Sequence, residues 1–138
     1  MSNQQQQNKD IVTRFNKEFI IGGNKAVFEE LISPSVINHA APPGTTDGKG
    51  SMWYFLNEIL RPAFPDLQVE LFDQIAEDDK VVTRKAFHGT HNGHFMGIAP
   101  TGKSVTIHVT DIIRLKDGQY MEHWGMSNIE SVVAMLAE

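Results

Sequence analysis

Residues 104–115 read Ser-Val-Thr-Ile-His-Val-Thr-Asp-Ile-Ile-Arg-Leu, and no other run of the chain restricts the fold as tightly. Successive side chains of a strand point to opposite faces. Val105, Ile107, Val109, Asp111, Ile113 and Leu115 therefore share one face, and Ser104, Thr106, His108, Thr110, Ile112 and Arg114 the other. The first set is the buried one, and a carboxylate stands in its middle. An isolated ionised carboxylate is costly in an apolar interior, so Asp111 must be paired, hydrogen-bonded, protonated or facing a cavity. On this run alone, a structural ion pair or an outward-turning bulge explains it as well as a functional role does.

Ahead of this strand the apolar spacing is helical. Met1 to Gln7 is a Gln-rich polar lead-in expected to be flexible, and residues 8–138 read as a single domain. From Asn8 onward Ile11, Val12, Phe15, Phe19 and Ile20 recur at helical spacing until Gly22-Gly23. Asn24 caps a short second helix carrying Val27, Phe28 and Leu31, which Ser33-Pro34 stops. Val36-Ile37-Asn38-His39 is a brief extended segment leading into Ala40-Ala41-Pro42-Pro43-Gly44. Gly48 to Phe64 predicts a third helix with Met52, Phe55, Leu56, Ile59 and Leu60 on one side. Trp53 lies beside that stripe, as packing or as a contact for a bound ligand.

From Asp66 the period drops to two. A first strand carries Leu67, Val69 and Leu71, and Glu77-Asp78-Asp79 turns the chain. Lys80 to His91 forms a second strand whose inner face the pattern leaves open. Val81, Thr83, Lys85, Phe87 and His91 share one parity, and Val82, Arg84, Ala86 and His88 the other. Asp117-Gly118 is a hairpin turn into a fourth strand, Gln119 to Met126, and Ile129 to Leu136 closes the chain as a helix. Helices followed by hairpin-linked strands predict an α+β domain, with a curved antiparallel or mixed sheet wrapped over the helices and a pocket between the layers.

Composition removes several function classes. A chain of 138 residues buries a core without staples. The formal net charge of −5, with no basic cluster, argues against nucleic acid. With no cysteine, disulfides, thiolate catalysis and cysteine-based zinc sites are excluded. No apolar run approaches a membrane span and the start is polar, which points to a cytoplasmic protein. His88, His91 and His94 are spaced by three, but residues three apart in a strand face opposite sides, and no metal-binding motif is present, so no metal is expected. Gly93-His94-Phe95-Met96-Gly97 opens no helix and is read as a flexible rim loop, not a nucleotide cradle.

Acid–base chemistry remains. A carboxylate in an apolar pocket can take and return a proton near neutrality. If the Asp117-Gly118 turn pairs Lys116 with Gln119, Asp111 falls opposite a position near Trp124. His123 and Trp124 are then its nearest cross-strand candidates, with a one-residue slip left open.

The residues also resemble a known family. Phe87-His88-Gly89-Thr90-His91-Asn92-Gly93-His94-Phe95-Met96-Gly97-Ile98-Ala99-Pro100-Thr101-Gly102-Lys103, then Asp111, Arg114, Asp117-Gly118 and Glu122-His123-Trp124, are similar to the SnoaL-like polyketide cyclases, and Asn38-His39 extends the likeness. His94 departs from it, standing where an acidic or small polar residue is commoner. The resemblance implies a nuclear-transport-factor-like α+β cone and a cofactor-free aldol ring closure of an aromatic polyketide ester. It implies Asp111 as general acid/base and His91 as the pocket histidine. Asn38 and His39 follow from the Asn-His pair, and His123 and Trp124 from the His-Trp pair. His123 joins Asp111 and His91 as a catalytic candidate. Asn38, His39, Trp53, Arg84 and Trp124 are the substrate-binding ones, with His91 or Asn38 as donor to an enolate. The expected partner is a small apolar or aromatic carbonyl compound, with no cofactor. A homodimer through the outer sheet face is implied as well. An isomerase or epoxide hydrolase of the same fold is the nearest rival, and a noncatalytic binder another. A tight Asp111–Arg84 pair would favour the binder.

Overall fold

The computed structural model describes residues 3–44 and 48–138. Helix α1 (Asn3–Arg14) runs on as a π-helical stretch, Phe15–Ile21, and is followed by α2 (Lys25–Leu31) and β1 (Ile32–Asn38). Helix α3 (Gly48–Trp53) continues through a second π-helical stretch, Tyr54–Leu60, into the single turn α4 (Arg61–Ala63). Strands β2 (Gln68–Glu77), β3 (Lys80–Thr90), β4 (Ser104–Lys116) and β5 (Gln119–Ser127) come next, and α5 (Ile129–Leu136) ends the chain. The sheet order is β1-β5-β4-β3-β2. β1 runs parallel to β5 and every other neighbour is antiparallel. This is the α+β arrangement that the change of period predicts.

Local chemistry sets most boundaries. The Asn24 side chain accepts from the backbone N–H of Ala26 at 3.1 Å and of Val27 at 3.4 Å, capping α2. Asp117 and Gly118 both take positive φ, 52° and 79°, the geometry of a two-residue turn whose twist matches its strands. Two boundaries differ from expectation. Helix α1 already runs from Asn3, because Gln4 bonds Asn8 and Gln6 bonds Asp10 one turn on, both at 3.0 Å. Met1 and Ser2, the start of the expected flexible lead-in, lie outside the described residues. Strand β1 begins at Ile32, ahead of the extended segment expected from Val36, and so takes in Ser33-Pro34, at a sheet edge where a missing N–H is tolerated.

The core lies between the helices and the sheet's inner face. In the first π-helical stretch the adjacent pairs Phe15–Asn16 and Phe19–Ile20 are all buried. Phe19 packs on Phe28 with ring centroids 4.8 Å apart and stacks on Trp53 at 5.7 Å. Trp53 thus serves the aromatic packing, and does not line the main cavity.

The loop between β3 and β4 is pinned at several points. Phe95 is only 1 % exposed and sits 5.0 Å from the Phe64 ring, while its backbone pairs with Ile98. Gly93 donates its N–H to Ala63 O at 3.1 Å, and a Cβ on Gly93 would overlap the carbonyl oxygen of Pro62. Gly93→Ala is expected to cost about 1–3 kcal/mol, the usual range for an overpacked contact. A urea midpoint unchanged by the substitution would show that the contact is slack.

Candidate functional site

Register builds the site. Strand β4 is central, with β3 and β5 on either side, and Asp111 lies opposite Thr83 on β3 and Gly125 on β5. Lys85 is two residues along β3 from Thr83 and so shares its face. His123 stands two residues from Gly125, on the inner face as well. Parallel pairing sets Asn38 of β1 beside His123. Four strands therefore deliver Asn38, His123, Asp111 and Lys85 to one wall.

Asp111 is 5 % exposed and Lys85 is 4 % exposed. The Lys85 ammonium lies 3.0 Å from Asp111 Oδ2 and donates to Asn16 Oδ1 at 2.8 Å. Asp111 Oδ1 is buried and has no hydrogen-bond partner, and the same holds for Thr83 Oγ1 opposite. A native interior rarely leaves such atoms unpaired, so each calls for a partner from outside the protein, a water or a guest. The partner that the sequence leaves unnamed is thus Lys85, not Arg84.

A chain of hydrogen bonds orients His123. Ser51 donates its hydroxyl to Gly48 O at 2.8 Å, so its oxygen accepts from Asn38 Nδ2 at 3.0 Å. Asn38 Oδ1 then accepts from Ala40 N at 3.1 Å and from His123 Nδ1 at 2.8 Å. With the proton on Nδ1, the neutral ring carries its lone pair on Nε2. Opposite that atom Gly125 leaves room, since a Cβ there would sit 3.3 Å from Nε2. Burial pushes the His123 pKa below its ordinary value; the Asp111 charge opposes this, and the Lys85 and His39 charges add to it. The ring is therefore held neutral in the fold. Unfolded, it takes a proton first as pH falls through about 6.5. Acidification below that point should lower the unfolding midpoint, and the loss should be smaller in His123→Gln. An equal loss in the variant would sink this account.

Tyr120, 2 % exposed, lines the same wall. Burial and then the Asp111 charge push its phenol well above the ordinary tyrosine value, so it stays a neutral donor. These groups border a cavity of about 410 Å³ whose remaining lining includes Phe15, Ile20, Leu56, Phe87 and Val109. Met96 and Met126 also line it and are 51 % and 76 % exposed, so they stand at its mouth.

Of the residues singled out in the sequence, Asp111, His123 and Asn38 meet at this cavity, whereas His91, His39, Trp53, Arg84 and Trp124 are not part of its lining. His91 is 0 % exposed and stands just past the end of β3, at the start of the β3–β4 loop. Its Nδ1 accepts from the Thr101 hydroxyl at 2.9 Å and from Thr101 N at 3.3 Å, which pins the β3–β4 loop. Arg84 points to the outer face and pairs with Asp73 at 2.7 Å, both side chains more than half exposed. His39 stacks on Trp124 with centroids 4.9 Å apart and donates to Glu122 Oε2 at 2.6 Å, also outside. The reason for Trp124 is a one-residue bulge at Met121: Leu115 pairs with Tyr120, but Arg114 pairs with Glu122. That slip puts Gly125, not Trp124, opposite Asp111. Lys85, Asn16, Thr83 and Tyr120 were missed as site residues. Membership of the Val81-Thr83-Lys85-Phe87 parity set was the available signal for Lys85 and Thr83. Among the described residues, no group of three His, Asp or Glu side chains is placed to hold a metal ion, and no helix is long and apolar enough to cross a membrane.

Over residues 10–134 the sequence matches the model of the SnoaL-like polyketide cyclases. The chain belongs to that family. No curated protein matches it in sequence. Among solved structures, a proposed SnoaL-like polyketide cyclase from Jannaschia sp. CCS1 is 26 % identical with a TM-score of 0.86, covering 99 % of this chain and 96 % of its own. IdmH, a proposed polyketide cyclase from Streptomyces antibioticus, is 28 % identical with a TM-score of 0.80, the match covering 96 % of this chain and 99 % of IdmH. AclR from Streptomyces galilaeus, described as a proposed hydroxylase, is 26 % identical with a TM-score of 0.83, covering 96 % of this chain and 82 % of its own. Structures of one fold thus carry more than one described chemistry.

Proposed function

We propose that the protein closes a ring in a small carbonyl compound by a cofactor-free intramolecular aldol reaction, with Asp111 as general acid/base. The observation that carries this reading is the unpartnered Oδ1 of a buried Asp111 on the wall of a largely apolar cavity. Oδ1 takes the proton of an acidic C–H between carbonyls, and the enolate attacks a second carbonyl of the same molecule. The protonated Asp111 then returns its proton to the alkoxide. His123, held neutral with its lone pair on Nε2, accepts a hydrogen bond from a hydroxyl of the guest, and the neutral Tyr120 phenol donates one. His91 does not line the cavity, so the role of enolate donor is not given to it. The family membership and the description of IdmH as a proposed polyketide cyclase support the substrate class.

Deuterium exchange tests the first step. Ethyl benzoylacetate, an aromatic β-keto ester, should lose its acidic C–H in D₂O faster with the protein than in buffer, and should bind in the cavity. The Lys85–Asp111 pair favours a second reading, a noncatalytic binder, because a buried ion pair accounts for both side chains without any chemistry. Binding of the ester without accelerated exchange would decide for that second reading.

A further inference from the structure

Lys85 has no part in the proton transfer as described, yet it stands where the charge of that reaction goes. An ammonium has three N–H donors. One points to Asn16 Oδ1 at 2.8 Å and one to Asp111 Oδ2 at 3.0 Å. Asn16 is itself locked: it is 1 % exposed in the π-helical stretch, and its Nδ2 donates to Val12 O at 2.8 Å, which leaves Oδ1 for the lysine. The Phe87 ring centroid lies 5.2 Å from Nζ and holds the cation from a further side. The two oxygens take two N–H groups and leave the third without an oxygen partner, on a residue that lines the cavity.

We infer that Lys85 is the anion-binding residue of this cavity, its third N–H receiving the enolate oxygen of a ketone or ester whose α C–H faces Asp111. The inference rests on the acid–base reading above for the identity of the anion. At rest the site holds one carboxylate and one ammonium. When Oδ1 takes the proton, the C–H electron pair becomes the new C=C bond and the carbonyl π pair moves to oxygen. Asp111 is then neutral and the enolate carries the negative charge. One fixed cation neutralises the anion before and after the step, with no solvent needed to follow it. The expected donor Asn38 does not offer this: Ser51 takes one N–H of its Nδ2 and its oxygen faces His123, and the N–H left over belongs to a neutral amide that brings no counter-charge. The geometry also selects substrates: the acidic carbon and the oxygen that gains charge must belong to the same carbonyl unit.

2-Naphthol, whose ionised form has its own absorption band, tests this without turnover. Bound to the wild-type protein at pH 7 it should be partly naphtholate. In Asp111→Asn, where no carboxylate competes for Lys85, the naphtholate fraction should rise. In Lys85→Met/Asp111→Asn the bound naphthol should be neutral, and naphtholate affinity should fall about tenfold or more, as expected for a lost charge-assisted hydrogen bond. Neutral naphthol in Asp111→Asn, naphtholate persisting in the double variant, or no binding to any of the three proteins would overturn the inference. Naphtholate binding without deuterium exchange would keep Lys85 as an anion site and remove the aldol reading. Asp111-dependent exchange with neutral bound naphthol would do the reverse.

Discussion

Asp111→Asn is expected to slow deuterium exchange at the acidic carbon by about 10²–10⁴-fold, the usual worth of a positioned general base. The substitution keeps the shape of the side chain. The new amide oxygen can still accept from the Lys85 ammonium, which reaches the present Oδ2 at 3.0 Å, and Asn16 keeps its own bond to the lysine at 2.8 Å. What disappears is basicity at the unpartnered oxygen, Oδ1. The fold should survive with a lower unfolding midpoint, because Lys85 loses its counter-charge. Exchange rates per folded molecule and ester binding by fluorescence separate the two effects. Wild-type rates in Asp111→Asn would remove Asp111 from the chemistry altogether.

That Asp111 could be picked out beforehand follows from the strand it sits in. On β4 every other member of its face is Val, Ile or Leu, so the alternation has one solution and the acid is an anomaly within it. Strand β3 has no such asymmetry. Each of its faces carries a cation, Lys85 on one and Arg84 on the other, beside apolar neighbours. What separates them is tertiary: Arg84 and His88 meet Asp73 and Glu70 of β2 on the outer side, at 2.7 Å and 2.9 Å. Only across-strand register assigns Lys85 to the inside, and the loop between β3 and β4 is too long for a turn rule to set that register.

Strand β5 failed for a different reason. Its turn is legible, and the first pairs, Lys116 with Gln119 and Leu115 with Tyr120, follow from it. The bulge at Met121 then shifts every later pair by one residue. Apolar side chains occupy both parities there (Tyr120, Met121, Trp124, Met126), so hydropathy carries no trace of the slip. A one-residue shift exchanges the faces, and Trp124 goes outside with His39 while His123 comes in. Resemblance to the family named these residue pairs, but adjacency in sequence put half of each pair on the wrong side: of Asn38-His39 and His123-Trp124, the cavity receives only Asn38 and His123.

Lys85→Met is expected to be the most damaging single change in the site, costing about 3–5 kcal/mol, the range for breaking a buried ion pair from one side. Asp111 would remain at 5 % exposure with Oδ1 already unpartnered and Oδ2 stripped of its cation. The Asn16 oxygen, 1 % exposed with its residue, would lose its donor as well. Buried polar atoms without partners are the expensive part, more than the lost attraction itself. The double variant Lys85→Met/Asp111→Asn should therefore be more stable than Lys85→Met alone, despite carrying the additional change. Urea unfolding of the wild type, both single variants and the double closes a thermodynamic cycle on the pair. A coupling near zero, with the two single losses simply adding, would mean that the ammonium and the carboxylate do not share one buried site. The cation would then be unavailable to the reaction's developing charge, and Asp111 would have to be explained by solvent instead.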